Sequence, residues 1–246
     1  RQAKEYSEIS QGTFDLTVAP LVEAWAITSA TPRVPTEEEL QQCVSLVAWQ
    51  DVLLDEEHTA VTLARSGQAI DLGGIAKGYA AGIIHEVCQE MAVNNGFVSL
   101  GGNIIVIGPQ PNGSPFLFGI RDPRGTTEDY ILKIPLSTGC IATSGDYERY
   151  FEQDGQRYHH IFDPKTGKPA QSDLLSVSVV AEDGAFCDFL STALFVAGKE
   201  AALRLLDKTE FALIVVDQEK NVYVSDALRG QVEANQAATT YTFHID

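Results

Sequence analysis

The apolar positions of this chain fall into two rhythms. Helical spacing holds from Ala76 to about Val93, with small and apolar residues on one face, and Asn94-Asn95-Gly96 ends it. A second stretch, "AFCDFLSTALFVAG" (185–198), is nearly all apolar and predicts a buried helix, followed by another over "KEAALRLLD" (199–207). Thr36-Glu37-Glu38-Glu39 has the form of a capping box and predicts a helix through about Val47. Between these lie strand-like runs: "AVTLA" (60–64), closed by Arg65-Ser66-Gly67, then "QAIDL" (68–72), "FVSL" (97–100), "NIIVIG" (103–108), "FLFGIRD" (116–122), "YILKIPL" (130–136) and "LLSVSVVA" (174–181). "YERYFEQDGQRYHHIF" (147–162) predicts a hairpin with Asp154-Gly155 at its tip, and "FALIVVD" with "NVYVS" a last strand pair. Strand clusters broken by single helices predict an α+β fold with mainly antiparallel sheet rather than a doubly wound parallel one.

Composition narrows the function classes. With 246 residues, 44% of them hydrophobic, the chain can bury a substantial core. Its 34 acidic against 17 basic residues give a net charge of −17, which argues against nucleic acid as a partner. An anionic ligand would need local help from backbone N–H groups, a lysine or a metal. Cys43, Cys88, Cys140 and Cys187 show no CxxC spacing and sit in apolar stretches, so buried free thiols are expected. No apolar run is long enough to span a bilayer. The first residue is Arg1, so a longer precursor is expected, with its targeting segment out of view.

Five stretches could carry chemistry. Asp188 lies inside the apolar helix, and Thr192 follows one turn later on the same face. Carboxylate and hydroxyl together offer two hard oxygen ligands of the kind Mg²⁺ takes. The plainer alternative is that Asp188 caps or ion-pairs with a neighbouring element while Thr192 bonds back to its helix. In "DLGGIAKGYAAG" (71–82), Gly73-Gly74 would let backbone approach a ligand, and Lys77 sits in a first helical turn where the dipole disfavours a cation unless an anion is near. The stretch matches neither a Walker A loop nor GxGxxG, and could be only a strand-to-helix turn. His160, before an Asp-Pro turn, could act as a base or be structural. Thr143-Ser144-Gly145 could hold a ligand's polar edge or turn the chain, and Phe14-Asp15 could bind a ligand or form a hydrophobic staple with an N-cap.

In this order the stretches "GTFDLTVAPLVEAW", "DLGGIAKGYA", "LGGNI", "ATSGDYERYFEQDGQRYHHIFDPKTGKP" and "SVSVVAEDGAFCDFLSTALFVAG" resemble the flavin transferases of the ApbE type, which move FMN from FAD onto a protein. The resemblance covers residues 10 to about 200 and implies a single T-fold-like, pseudo-duplicated α+β domain over 1–246 that lacks the family's N-terminal segment with its Met-Gly-Thr-like stretch. It implies Mg²⁺ on Asp188, Thr192 and the backbone carbonyl of Gly74, with Asp188 and His160 serving catalysis. It implies FAD contacts at Thr13, Phe14, Asp15, Asp71, Lys77, Thr143, Ser144, His160 and Ile161; some members carry glutamate where Lys77 stands. The expected reaction is attack of a protein Thr or Ser hydroxyl on the FMN phosphorus with release of AMP. The chain shows no acceptor motif of its own. Rival readings are an FAD pyrophosphatase, a non-catalytic FAD-binding module and a plain structural domain. The family's usual station is the outer face of the cytoplasmic membrane, through a lipid anchor.

Overall fold

The first half of the chain runs through α1 (Gln2–Ile9), α2 (Ala19–Trp25), α3 (Glu37–Leu46), β1 (Val52–Asp55), β2 (Ala60–Leu63), α4 (Ala76–Glu90), β3 (Gly96–Leu100), β4 (Asn103–Gly108) and β5 (Phe116–Arg121). The second half adds β6 (Tyr130–Leu136), β7 (Gly139–Gly145), β8 (Tyr150–Gln153), β9 (Gln156–His159), β10 (Leu174–Ala181), α5 (Gly184–Ala197), α6 (Lys199–Leu203), β11 (Ala212–Asp217), β12 (Asn221–Val224), β13 (Glu233–Ala234) and β14 (Thr242–His244). These come from a computed structural model that describes residues 1–55 and 57–245. The chain forms two compact units, Arg1–Gly74 with Asp146–Gln171, and Ile75–Gly145 with Ser172–Asp246.

In the first unit, α2 and α3 bury Leu21, Trp25, Ile27 and Leu40 with Phe162. The Trp25 indole donates to the Gly167 carbonyl at 2.8 Å and stacks near Phe162. Gly167 has φ +71, and a methyl group there would lie 2.8 Å from Val44 and 2.9 Å from Leu21. The Asp-Pro turn therefore needs glycine to close against this core. The predicted capping box forms: Thr36 Oγ1 accepts from the Glu39 N–H, and the Glu39 carboxylate accepts from the Thr36 N–H. Strands β8 and β9 form the predicted hairpin, with Asp154 (φ 54) and Gly155 (φ 76) supplying the left-handed pair of a tight turn.

The second unit holds a seven-stranded sheet in the order β14-β12-β11-β10-β7-β4-β3, antiparallel except for the β12–β14 pair. Val106, Ile141, Ile214 and Val222 of this sheet share a core with Phe118, Ile131 and Ile134 of the three-stranded sheet β13-β6-β5. On the other face α5 lies over β7 and β10, and α4 packs on β4 and against α5. With both faces covered, β10 is buried almost throughout, its two serines Ser176 and Ser178 included.

The α+β, mainly antiparallel expectation holds, with local differences. "QAIDL" joins no ladder, because the chain turns at Asp71, whose carboxylate accepts from the Gly73 N–H at 2.6 Å. Thr143-Ser144-Gly145 is no turn; it ends β7, paired with Ser176–Ser178 of β10, past the point where β4 leaves the strand at Ile141. Helix α6 stops at Leu203, and α4 stops at Glu90, with Ala92 (φ 57) left-handed before the Asn-Asn-Gly stop. The apolar face of α4 divides: Gly78 and Ala81 are buried, while Tyr79, Ile83 and Val87 are exposed. All four cysteines are free thiols, but only Cys140 and Cys187 are buried; Cys43 and Cys88 are half-buried. No helix among the described residues is long and apolar enough to cross a membrane.

Candidate functional site

Asp183 starts α5 by accepting the N–H groups of Ala185 (2.8 Å) and Phe186 (3.2 Å). One turn on, Asp188 points at the first turn of α4. Its Oδ1 lies 3.1 Å from Lys77 Nζ, and its Oδ2 accepts the Gly78 N–H at 3.0 Å. Helix α4 has no side-chain cap of its own, so Asp188 serves as its N-cap across the fold. Two glycines permit this: a methyl group at Gly78 would collide with the Gly184 carbonyl and sit 2.8 Å from Asp188 Cβ. The Asp188 side chain is 5% exposed and the Lys77 side chain 35%. The plainer sequence reading of Asp188, a carboxylate that caps and ion-pairs a neighbour, is therefore met in both parts. A cation in the first turn of α4 is disfavoured by the helix dipole, and Asp188 is the anion that offsets it.

The Thr192 hydroxyl does not bond back to its helix as that reading supposed. It lies 3.1 Å from Ser144 Oγ, which lies 2.9 Å from Ser191 Oγ, and Ser191 donates to the Asp188 carbonyl at 3.0 Å. One direction satisfies the string: Thr192 donates to Ser144, Ser144 to Ser191, and Ser191 to the backbone. Thr192 Oγ1 then keeps its lone pairs for another partner. Strand alternation separates the two β7 residues. Ser144 faces α5, whereas Thr143 pairs on the opposite face with Ser178, at 2.8 Å.

In the first unit, the Asp71 N–H donates to the Leu16 carbonyl at 2.9 Å, which ties the Asp-Leu-Gly-Gly turn to the Thr13–Thr17 segment. Within that segment Thr13 Oγ1 donates to the Ser10 carbonyl at 3.1 Å, and Phe14 is buried. Asp15 is buried too, and accepts from Thr17 N–H (2.8 Å), Thr17 Oγ1 (2.6 Å) and Trp49 N–H (3.1 Å). Burial raises the Asp15 pKa, opposed by these bonds from Thr17 and Trp49. Asp15 is not the cap of α2, whose N-cap Val18 makes no side-chain bond; its carboxylate fastens its own loop to the turn at Trp49. Gly74 is half-buried at the end of this unit's first stretch, one residue before α4's N-cap Ile75.

The two adjacent histidines differ. His159 is buried; Nε2 bonds the Ala170 carbonyl at 3.1 Å and Nδ1 accepts the Ile161 N–H at 3.3 Å. That pair of partners fixes the neutral ring, and burial lowers its pKa. His160 is half-buried, just past the end of β9, with Nδ1 3.2 Å from the Arg149 carbonyl. A carbonyl only accepts, so Nδ1 carries the proton in this bond. Ile161 is buried beside them.

Gly78, Gly184 and Ser191 complete the Asp188 arrangement and went unread in the sequence. A usable signal existed for Gly78: glycine inside a helix costs about 1 kcal/mol against alanine and suggests a packing reason. Among the described residues, no three His, Cys, Asp or Glu side chains gather where they could hold a metal ion. Any divalent cation here would need mixed oxygen donors. One buried carboxylate that already holds a cation and one hydroxyl with lone pairs to spare suit Mg²⁺, which binds through few protein oxygens and completes its shell from ligand phosphates.

A sequence model described as the ApbE family matches residues 1–215. The FAD:protein FMN transferase of Klebsiella pneumoniae is 34% identical over 230 residues, which are 92% of this chain and 70% of that protein. That of Treponema pallidum is 37% identical over 215 residues, 82% of this chain and 59% of its own. The crystal structure of the ApbE protein from Thermotoga maritima superposes with a TM-score of 0.82 at 39% identity, covering 98% of this chain and 75% of that one. The Pseudomonas stutzeri flavinyl transferase ApbE, in its apo form, gives 0.78 at 30% identity, covering 94% and 72%. The chain thus spans 59% to 70% of the length of these two curated relatives.

Proposed function

The chain belongs to the ApbE family, and on that footing we propose that it transfers FMN from FAD to a threonine or serine hydroxyl of a target protein. The observation that carries this reading is the Asp188 arrangement: a buried carboxylate holding a cation, with the Thr192 hydroxyl one turn away. Asp188, Thr192 and the Gly74 carbonyl would hold Mg²⁺, which would offset the charge of the FAD pyrophosphate. That help matters for a protein of net charge −17.

The remaining work falls to the chain's own groups. The acceptor oxygen bonds to the FMN phosphorus, the anhydride P–O bond breaks, and AMP leaves with the bridging oxygen. His160 is the group proposed to take the hydroxyl proton. Thr13, Phe14, Asp15, Asp71, Lys77, Thr143, Ser144 and Ile161 are proposed to orient FAD; the buried ones act by shaping backbone rather than by exposing charge. The proposed setting is the outer face of the cytoplasmic membrane, by kinship alone.

Chromatography of FAD incubated with the protein, Mg²⁺ and a threonine-bearing acceptor tests the reading. AMP is expected to appear only with acceptor present, and Asp188→Ala to abolish it. His160→Ala is expected to slow release by about 10²–10⁴-fold. Equal amounts of free FMN and AMP without acceptor would make the protein a pyrophosphatase. Bound but intact FAD would make it a binding module.

A further inference from the structure

The ammonium of Lys77 lies on one oxygen of the carboxylate that the proposed function gives to a metal. The two oxygens of Asp188 are held differently. Oδ2 accepts a backbone N–H from Gly78, at a crossing where Gly78 and Gly184 leave no room for drift. Among the described residues Oδ1 is held by a side chain alone, Lys77 at 3.1 Å, and that side chain is 35% exposed on a flexible four-carbon stem. The stem passes the backbone of Gly101, where a methyl group would come within 3.9 Å of Lys77 Cδ. One oxygen is thus fixed by the fold, and the other carries a counter-ion that can swing away.

We propose that Lys77 is an exchangeable internal counter-ion: it neutralises Asp188 Oδ1 until a divalent cation takes that oxygen, while Oδ2 stays on the Gly78 N–H throughout. This rests on the reading that Asp188 takes a metal. A buried carboxylate without a cation is costly, so the lysine keeps the metal-free protein folded. The same lysine competes with the metal and weakens its apparent binding. Exchange also releases an ammonium at the N-terminal turn of α4, where an anionic ligand can take it up. Metal and anion binding are therefore coupled through one side chain.

Titration calorimetry with MgCl₂ alone, without FAD, on the wild type, Lys77→Met, Lys77→Gln and Asp188→Asn tests this. Both Lys77 variants are expected to bind Mg²⁺ about tenfold more tightly than the wild type. They are also expected to melt lower without metal and to gain more from it. Asp188→Asn is expected not to bind. If the wild type binds and the Lys77 variants bind equally or more weakly, the exchange is overturned while the metal assignment stands. If neither the wild type nor the Lys77 variants bind, both fail together. Lys77→Gln keeps a hydrogen-bond donor and the stem, so it reports even if Lys77→Met does not fold.

Discussion

At Gly78 and Asp188 a few atoms decide the geometry of the whole site. Gly78→Ala puts a methyl group against the Gly184 carbonyl and Asp188 Cβ. Both helix backbones would have to move, so a loss of about 3 kcal/mol or more is expected, read as a lowered melting temperature. Ser144→Ala removes the hydroxyl that Thr192 donates to; Mg²⁺ binding is expected to weaken several-fold with little change in melting, as titration of the variant would show. His159 supplies a pH signature. Its folded pKa is lowered from the ordinary value of about 6.5, so the unfolded chain binds more protons in acid. Its contribution to stability is full above about 6.5 and is lost as pH falls towards the folded pKa. Melting curves between pH 5 and 8 should show this slope, flattened in His159→Gln. Of these residues, Asp188 was legible because a carboxylate inside an apolar helix demands a partner. Gly184 was not, since its role depends on a second helix 106 positions away in sequence, at Gly78.

Elements announced by local chemistry were easily read. Helix α3 carries a reciprocal capping box, and Thr36→Ala is expected to cost about 1 kcal/mol, seen as a small drop in melting temperature. The β8–β9 turn was legible because Asp-Gly accepts two left-handed residues in succession. Elements defined by distant partners were harder. Thr143-Ser144-Gly145 has small polar residues typical of a turn, yet β10, distant in sequence, pairs with all three and keeps them in the strand. "QAIDL" has the alternation of a strand, but Asp71 turns its carboxylate onto Gly73 N–H and the chain finds no ladder. The exposed half of α4 shows the same limit: spacing predicts an apolar face, and only the approach of α5 decides which small residues are buried.

At the scale of the molecule, excess negative charge frames the function. A chain of net charge −17 that takes an anionic dinucleotide must supply local positive charge, and Lys77 with a metal at Asp188 is the source proposed. Chelation of divalent cations is therefore expected to weaken FAD binding sharply, as flavin fluorescence would report, and added Mg²⁺ to restore it. The α+β class and the family were legible from the sequence, since ordered short motifs survive where overall identity is 34%. The division into two units, each drawn from two separated stretches, was not, because no local pattern marks where the chain passes from one to the other. The most direct measurement is the intact mass of a threonine-bearing acceptor protein after incubation with this chain, FAD and Mg²⁺. A gain of one FMN is expected with the wild type and none with Asp188→Asn; an acceptor of unchanged mass while FAD is consumed would contradict flavin transfer to protein.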